Sequence, residues 1–244
     1  MSEITVLGSC GAWPEPGRAC AGFLVSHNGY RVLLDLGYAA LPRLLEHCPD
    51  GAVDAVVVTH AHPDHCVDVS GLARVRHYAG DTSKTPLYCA PGVLDVLAML
   101  EPRPHPSTVF DVHDLDGTRE LGPFQVKTHR LPHHVPNFGV RLSAPGFTVA
   151  YTGDSGPSPV LAELGRDADL LISDATLQGP SPESEPRYVM TAAEAGFWAS
   201  KAGAKRLLLT HFWPGSDRSV SVKEAREVFG GEVIAAEEGL VITL

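Results

Sequence analysis

Runs of Lys or Arg that could follow a phosphate backbone are missing from this 244-residue sequence, and its formal net charge is −10. Non-specific binding to long nucleic acid is therefore disfavoured. A small anionic substrate is not excluded, because bound metal ions would reverse the local field. Cysteine is scarce: Cys10, Cys20, Cys48, Cys66 and Cys89 are five in all, an odd number with no Cys-x-x-Cys pair. That excludes a regular disulfide framework and a zinc finger, and small buried side chains in a reducing compartment are expected. Cys66, although next to His65, is read in the same way. No apolar run approaches membrane-spanning length, so no membrane partner is expected. Met1 to Cys10 lacks the basic-then-apolar pattern of a signal peptide, which makes the cytoplasm the expected location. Oligomeric state is open, a homodimer included.

What is present is the composition of an ordinary globule, 44% apolar and 20% charged. A chain of this length can bury a core without help from metal or disulfides. Any metal it holds is then expected to serve chemistry. Such a metal is suggested by one short stretch, His60-Ala61-His62-Pro63-Asp64-His65, directly after the apolar strand Ala55-Val56-Val57-Val58-Thr59. On an extended segment His60 and His62 point the same way and can meet one ion. Asp64 and His65 fall where the chain turns into a helix and can be aimed at a second. Imidazole and carboxylate together suit zinc and other first-row metals.

The rest of the chain alternates strands and helices. Strands are expected at 4–7, 21–25 and 30–35, the last two joined by the hairpin signal Asn28-Gly29. Helices are expected at 41–47 and, weakened by Gly71, at 64–76, then a strand at 87–89 and a helix at 93–100. The Pro-rich loop from Glu101 to Ser107 roughly halves the chain. A second series of strands follows at 109–112, 124–128, 138–142 and 147–151. Next come a helix near 159–164, a strand at 170–172, a helix opened by the capping box Thr191-Ala192-Ala193-Glu194 and closed by Gly203, and a strand at 206–209. Ser221-Val222-Lys223-Glu224 is read as the cap of a last helix, before strands at 233–234 and 240–243. The strand-rich series occurs twice, which suggests two sheets packed face to face with helices outside, in one domain over 1–244 with halves of roughly 1–107 and 108–244.

Three later segments also deliver a His or Asp just past an apolar strand: Leu131-Pro132-His133-His134, Tyr151-Thr152-Gly153-Asp154-Ser155 and Leu207-Leu208-Leu209-Thr210-His211. Strand alternation alone does not choose among His129, His133 and His134. Phe212 and Trp213, beside His211, are candidates for a pocket wall, and Ser9 for a substrate contact.

Together these segments resemble the metallo-β-lactamase fold superfamily of metallo-hydrolases: Thr59-His60-Ala61-His62-Pro63-Asp64-His65, His133, Thr152-Gly153-Asp154 and Thr210-His211, with Leu33-Leu34-Asp35-Leu36-Gly37 ahead of them. The resemblance implies a four-layer αββα sandwich and two divalent metal ions. Carried over residue by residue, His60, His62 and His133 would hold the first ion, Asp64, His65 and His211 the second, and Asp154 would bridge. Asp35 would be a structural carboxylate beneath the metals. Within the superfamily the chain is most similar to the ribonuclease Z-like phosphodiesterases. Phe138-Gly139-Val140-Arg141, with its glycine six residues after His133 by the family's spacing, favours His133 as the ligand, and Ser173-Asp174-Ala175-Thr176 looks like the family's His-Glu-Ala-Thr segment. His65-Cys66-Val67-Asp68-Val69-Ser70-Gly71-Leu72 and Thr191-Ala192-Ala193-Glu194-Ala195-Gly196 look like an actinobacterial subgroup related to cyclic-nucleotide phosphodiesterases.

Two positions depart from ribonuclease Z. Val189 stands where that family has His, and Asp174 where it has Glu. No inserted arm for gripping tRNA is visible. The resemblance thus implies a phosphodiesterase for a small or cyclic nucleotide, using a metal-bridging hydroxide. Asp64 would orient the nucleophile. Asp174 is either the leaving-group acid or a strand-end residue binding backbone N–H groups. Zinc is the expected metal, with manganese or iron able to occupy such a site. Hydrolysis of a thioester or lactone is the alternative activity, and a non-catalytic metal-binding scaffold a third reading.

Overall fold

The computed structural model describes residues 2–80, 83–181 and 186–244. The chain divides into two compact units, residues 1–115 with 237–244, and residues 116–236. In chain order the first unit contains β1 (Ser2–Gly8), β2 (Gly22–His27), β3 (Tyr30–Leu36), α1 (Leu41–His47), β4 (Ala55–Val58), α2 (Pro63–Tyr78), β5 (Thr85–Cys89), α3 (Val93–Leu100), α4 (Pro106–Val109) and β6 (Phe110–Asp114). The second contains β7 (Thr118–Leu121), β8 (Phe124–Leu131), β9 (Asn137–Ala144), β10 (Phe147–Tyr151), α5 (Val160–Leu164), β11 (Leu170–Asp174), α6 (Ala192–Ala202), β12 (Arg206–Thr210), α7 (Arg218–Arg226) and β13 (Glu232–Ala235). The last strand, β14 (Val241–Thr243), returns to the first unit.

Each unit is built on one seven-stranded sheet, ordered β14-β1-β2-β3-β4-β5-β6 in the first and β13-β12-β11-β10-β9-β8-β7 in the second. Both combine an antiparallel region with a run of four parallel strands, β3 to β6 and β10 to β13. Parallel strands are covered on both faces and read as continuous apolar runs: all four residues of β4 are buried. In the second unit the antiparallel region leaves a face open to solvent. On β8, Phe124 and Val126 are buried while Gln125 and Lys127 are exposed. Ligands in such sheets gather at the carboxyl ends of the parallel strands, and that is where the histidine stretch begins.

Local signals explain most boundaries. Asn28 and Gly29 take φ 51° and 86°, the paired positive angles of a type I′ hairpin turn. In α2, Pro63 occupies the first turn, where its missing N–H costs nothing, and Asp64 favours the positive helix end. Gly71, the residue that weakened this helix in the sequence, is needed for packing: a Cβ there would lie 2.7 Å from Leu41 Cδ2 of α1. The capping box at Thr191 is formed in both directions, and Gly203 closes α6 with φ 67°.

Three readings are corrected. The last helix does not start at Ser221: Asp217 is its N-cap, accepting from Ser219 N at 2.9 Å, and Ser221 lies buried inside α7. The strand expected at 109–112 is β6 at Phe110–Asp114, and it pairs in parallel with β5 in the first sheet. The polar segment Thr118–Leu121, unassigned from sequence, is an edge strand on β8. No helix among the described residues is long and apolar enough to cross a membrane.

Candidate metal centre

In the first unit, β4 ends at Val58, and His60, His62, Asp64 and His65 follow on the turn into α2. The His60 ring lies 4.8 Å from that of His62 and 4.1 Å from that of His65, centre to centre. Asp64 Oδ2 stands 3.7 Å from His65 Nε2 and accepts the Ala12 N–H at 2.7 Å. Beneath them is Asp35, fully buried. Its Oδ1 accepts Thr59 N at 2.7 Å, and its Oδ2 accepts both Thr59 Oγ1 at 2.8 Å and His65 Nδ1 at 2.7 Å. Thr59 Oγ1, its only proton given to Asp35, then accepts from His60 Nδ1 at 3.0 Å. Gly37 presses against the Asp64 backbone: a Cβ there would fall 1.8 Å from the Asp64 carbonyl oxygen.

The second unit repeats the device. Asp154, three residues beyond β10, is buried and stands between two imidazoles. Its Oδ2 is 3.6 Å from His133 Nε2, and its Oδ1 is 3.2 Å from His211 Nε2. His133 Nδ1 donates to the Tyr188 carbonyl at 2.9 Å. His211 Nδ1 donates to Thr176 Oγ1 at 2.8 Å, and that hydroxyl donates to Asp174 Oδ1 at 2.5 Å. Asp174 also accepts from Thr176 N at 2.8 Å, Ser155 N at 3.2 Å and Met190 N at 3.4 Å. Burial pushes its carboxyl up to about 6, with His211 pulling it down and Asp154 raising it. It is fully buried, and its oxygens are taken up by backbone and Thr176 donors.

These partners fix four tautomers. His60, His65, His133 and His211 all carry a proton on Nδ1, so in the neutral ring Nε2 presents a lone pair. At His65, His133 and His211 that lone pair faces a carboxylate oxygen, at 3.7, 3.6 and 3.2 Å. Two acceptors that oppose each other in a buried place repel, and a cation shared by both turns the contact attractive. The donor set thus fits divalent metal ions, and the partners behind it are those that orient metal-bound histidines. All seven residues His60, His62, Asp64, His65, His133, Asp154 and His211 belong to groups of side chains able to hold an ion. Positive φ angles occur at His211 (58°) and at two residues that support the candidate ligands, Asp35 (56°) and Ala12 (62°).

Other candidates are placed elsewhere. His129 lies on β8, its imidazole pushed down by burial and by Lys127. His134 turns its ring to Tyr188, 4.0 Å away. Ser9 is fully buried and donates to Glu238 at 2.9 Å, so it is a structural residue and makes no substrate contact. Phe212 is buried under the Arg218 guanidinium, while Trp213 is exposed. The Gly139 and Arg141 of the family-like pattern have packing roles. A Cβ on Gly139 would lie 2.6 Å from Leu164, and Arg141 donates to the Leu164 carbonyl at 3.0 Å. The hydroxyls of Thr59 and Thr176 were missed from sequence. Each neighbours a recognised residue, but only the fold brings the partner imidazole or carboxylate to it.

Buried imidazoles with carboxylate and hydroxyl support, at the ends of strands in two such sheets, define a metal-binding hydrolase class. A model of the beta-lactamase superfamily domain matches residues 30–212. The probable metallo-hydrolase YhfI of Bacillus subtilis is 32% identical over 243 residues, covering 98% of both chains. Its crystal structure superposes with a TM-score of 0.89 at 30% identity, over 99% of this chain and 98% of that one. Ribonuclease Z of Haloferax volcanii is 28% identical, covering 97% of this chain and 93% of its own. The short form of human tRNase Z superposes with a TM-score of 0.80 at 26% identity, over 99% and 98% of the two chains. The chain belongs to the metallo-β-lactamase superfamily and has its fold of two sheets flanked by helices. It is a metallo-hydrolase of that superfamily, related to ribonuclease Z.

Proposed function

We propose that the protein is a dinuclear metal-dependent phosphodiesterase acting on a small or cyclic nucleotide. In this reading His60, His62, His133 and Asp154 would hold one ion, and Asp64, His65, Asp154 and His211 would hold the other. The observation that carries it is the opposition of imidazole lone pairs and carboxylate oxygens around Asp154 and Asp64. His-rich ligation suits zinc. When bound, the ions supply a nucleophile from water at neutral pH and neutralise charge on the phosphoryl oxygens. The chain's own residues do the positioning. Asp35 and Thr59 aim His65 and His60, Asp174 and Thr176 aim His211, and the Tyr188 carbonyl aims His133. Asp64, steadied by Ala12 N–H, orients the attacking water. Asp174 acts through His211 as a positioning residue.

A small substrate is supported by size. The alignment with the Haloferax ribonuclease Z runs over 297 residues against 244 in this chain, so that relative carries segments with no counterpart here. The charge of −10 also disfavours a long polyanion. Five cysteines, all buried and none joined in a disulfide, fit a cytoplasmic setting. The test is a substrate profile of the zinc-loaded protein against bis-p-nitrophenyl phosphate, cyclic AMP and a thioester. Phosphodiester turnover that stops on chelation is expected. Thioester turnover without phosphodiester turnover would overturn the proposal.

A further inference from the structure

Beside His133 the chain presents a second, unassigned feature. The exposed ring of His134 and the half-exposed ring of Tyr188 lie 4.0 Å apart at 41°. His133 meets them edge-on, 5.4 Å from His134 at 71° and 6.5 Å from Tyr188 at 89°. We propose that Tyr188 and His134 form an aromatic face that takes the nucleobase of the substrate. This rests on the nucleotide reading above and adds a specificity determinant to it.

The backbone that carries the two rings is tied down on both sides. Tyr188 holds His133 through its carbonyl, and Met190 N donates to Asp174. Arg187 is ion-paired with Glu194, and its carbonyl is packed so closely on Gly156 that a Cβ there would lie 2.0 Å away. On the other side, Gly156 N donates to the Pro132 carbonyl at 2.9 Å, and Asn137 Nδ2 donates to the carbonyls of Thr152 at 3.2 Å and Asp154 at 2.5 Å. Rings whose backbone is held on both sides lose little entropy when they bind, and an aromatic ring accepts any base through its π-face. The face adjoins the imidazole read as a ligand of the ion, so a phosphate held by the metals and a base on the rings belong to one small molecule. Tyr188 acts on His133 through its main chain only, which lets the ring be changed without removing that anchor.

The experiment is calorimetric binding of AMP and of ribose 5-phosphate to the zinc-loaded protein, in wild type, Tyr188→Leu and Tyr188→Phe. Wild type is expected to bind AMP at least about fivefold more tightly than ribose 5-phosphate, the low end of what base stacking contributes. Tyr188→Leu is expected to reduce that preference at least about fivefold and Tyr188→Phe to keep it. Reading the ratio of the two affinities separates loss of the face from general damage to the fold or to the metals. An unchanged ratio in Tyr188→Leu, or a wild type without preference for AMP, would overturn the aromatic face while phosphodiester turnover still stands. Absence of bis-p-nitrophenyl phosphate turnover would instead overturn the phosphodiesterase reading on which the face rests.

Discussion

Replacing Asp35 by Asn tests the argument from tautomers most directly. Asp35 offers two oxygens to three donors: Thr59 N on Oδ1, and Thr59 Oγ1 and His65 Nδ1 on Oδ2. An Asn of the same shape has one acceptor oxygen and one NH₂. If the NH₂ replaces Oδ1, it meets the Thr59 N–H at donor-to-donor distance, a buried clash worth about 1–3 kcal/mol. If it replaces Oδ2, it donates to both neighbours there. His65 must then accept on Nδ1 and carry its proton on Nε2. Thr59 accepts from the amide and turns its own proton toward His60 Nδ1, which lies 3.0 Å away. His60 changes tautomer as well. Both rings then present N–H where the wild type presents a lone pair. Losing one such supporting partner costs about 10–100-fold in metal affinity. With two imidazoles affected, a loss of roughly a hundredfold or more is expected. The assay is zinc titration of the stripped protein against a competing chelator, with a thermal melt of the same sample to establish that it is folded. A folded Asp35→Asn protein that binds zinc within about threefold of wild type would refute the reasoning, since that exceeds the scatter of a chelator titration but falls well short of the ~10-fold minimum for one partner.

Three further outcomes follow from the structure. Asp154→Ala removes the carboxylate set between His133 and His211, so bound zinc, measured by metal analysis, should fall from two ions to one or none. Its hydrolysis should drop more than about a hundredfold, since losing a ligand exceeds the loss of a partner behind one; two ions at an undiminished rate would contradict it. Cys20, Cys48, Cys66 and Cys89 should be inert in the native protein. Burial pushes the thiol of Cys66 up to about 12 and that of Cys89 up to about 11, and raises Cys20 and Cys48 as well. The reactive thiolate is therefore suppressed at pH 8 in the folded chain and released on unfolding, so a disulfide reagent should label these four in denaturant only. Thr191→Ala breaks the capping box of α6 and should cost ~0.5–2 kcal/mol, lowering Tm by about 2–4 °C per kcal/mol; Thr191→Ser should keep the wild-type melt, and an equal loss in both would point away from the cap.

Much of the fold was legible because local chemistry and tertiary context agree. The four apolar residues of β4, the Asn28-Gly29 turn and the Thr191 box each name their element without reference to distant residues. The failures have physical reasons too. In α7 the Asp217 side chain caps the helix by accepting from Ser219 N at 2.9 Å, while the Ser221 hydroxyl accepts from Gln178, 43 residues away, at 2.9 Å, a partner no local pattern shows. Strand β7 alternates too weakly over four residues to be read, and it exists because β8 offers an edge. At the candidate site, the residues that touch metal in the proposed reading were visible as strand-end His and Asp. Their supports were not, because Thr59 finds Asp35 24 residues away and His133 finds the Tyr188 carbonyl 55 residues away. Substrate-facing features were the least legible: Gly139 and Arg141 looked functional by resemblance, and both are occupied with α5.

What distinguishes a metal site from a histidine-rich surface is therefore behind the rings. A solvent-exposed cluster leaves each imidazole free to choose a tautomer. Here the choice is removed at four residues by groups that cannot donate: a carbonyl at His133, a carboxylate at His65, and at His60 and His211 hydroxyls whose one proton is already given to Asp35 or Asp174. Each unit reaches this by its own Asp–Thr–His chain, Asp35–Thr59–His60 in one and Asp174–Thr176–His211 in the other. A neutral ring so held offers Nε2 as an acceptor, and where it faces Asp64 or Asp154 a metal ion, or a second proton on the ring, satisfies both sides. The arrangement is indifferent to what is hydrolysed, since the same frame fits any ester that can reach the ions. Selectivity must come from side chains that this frame positions without using, and the rings of Tyr188 and His134 meet that condition, because the main chain beneath them is committed to His133 and Asp174 while the rings themselves stand at the surface.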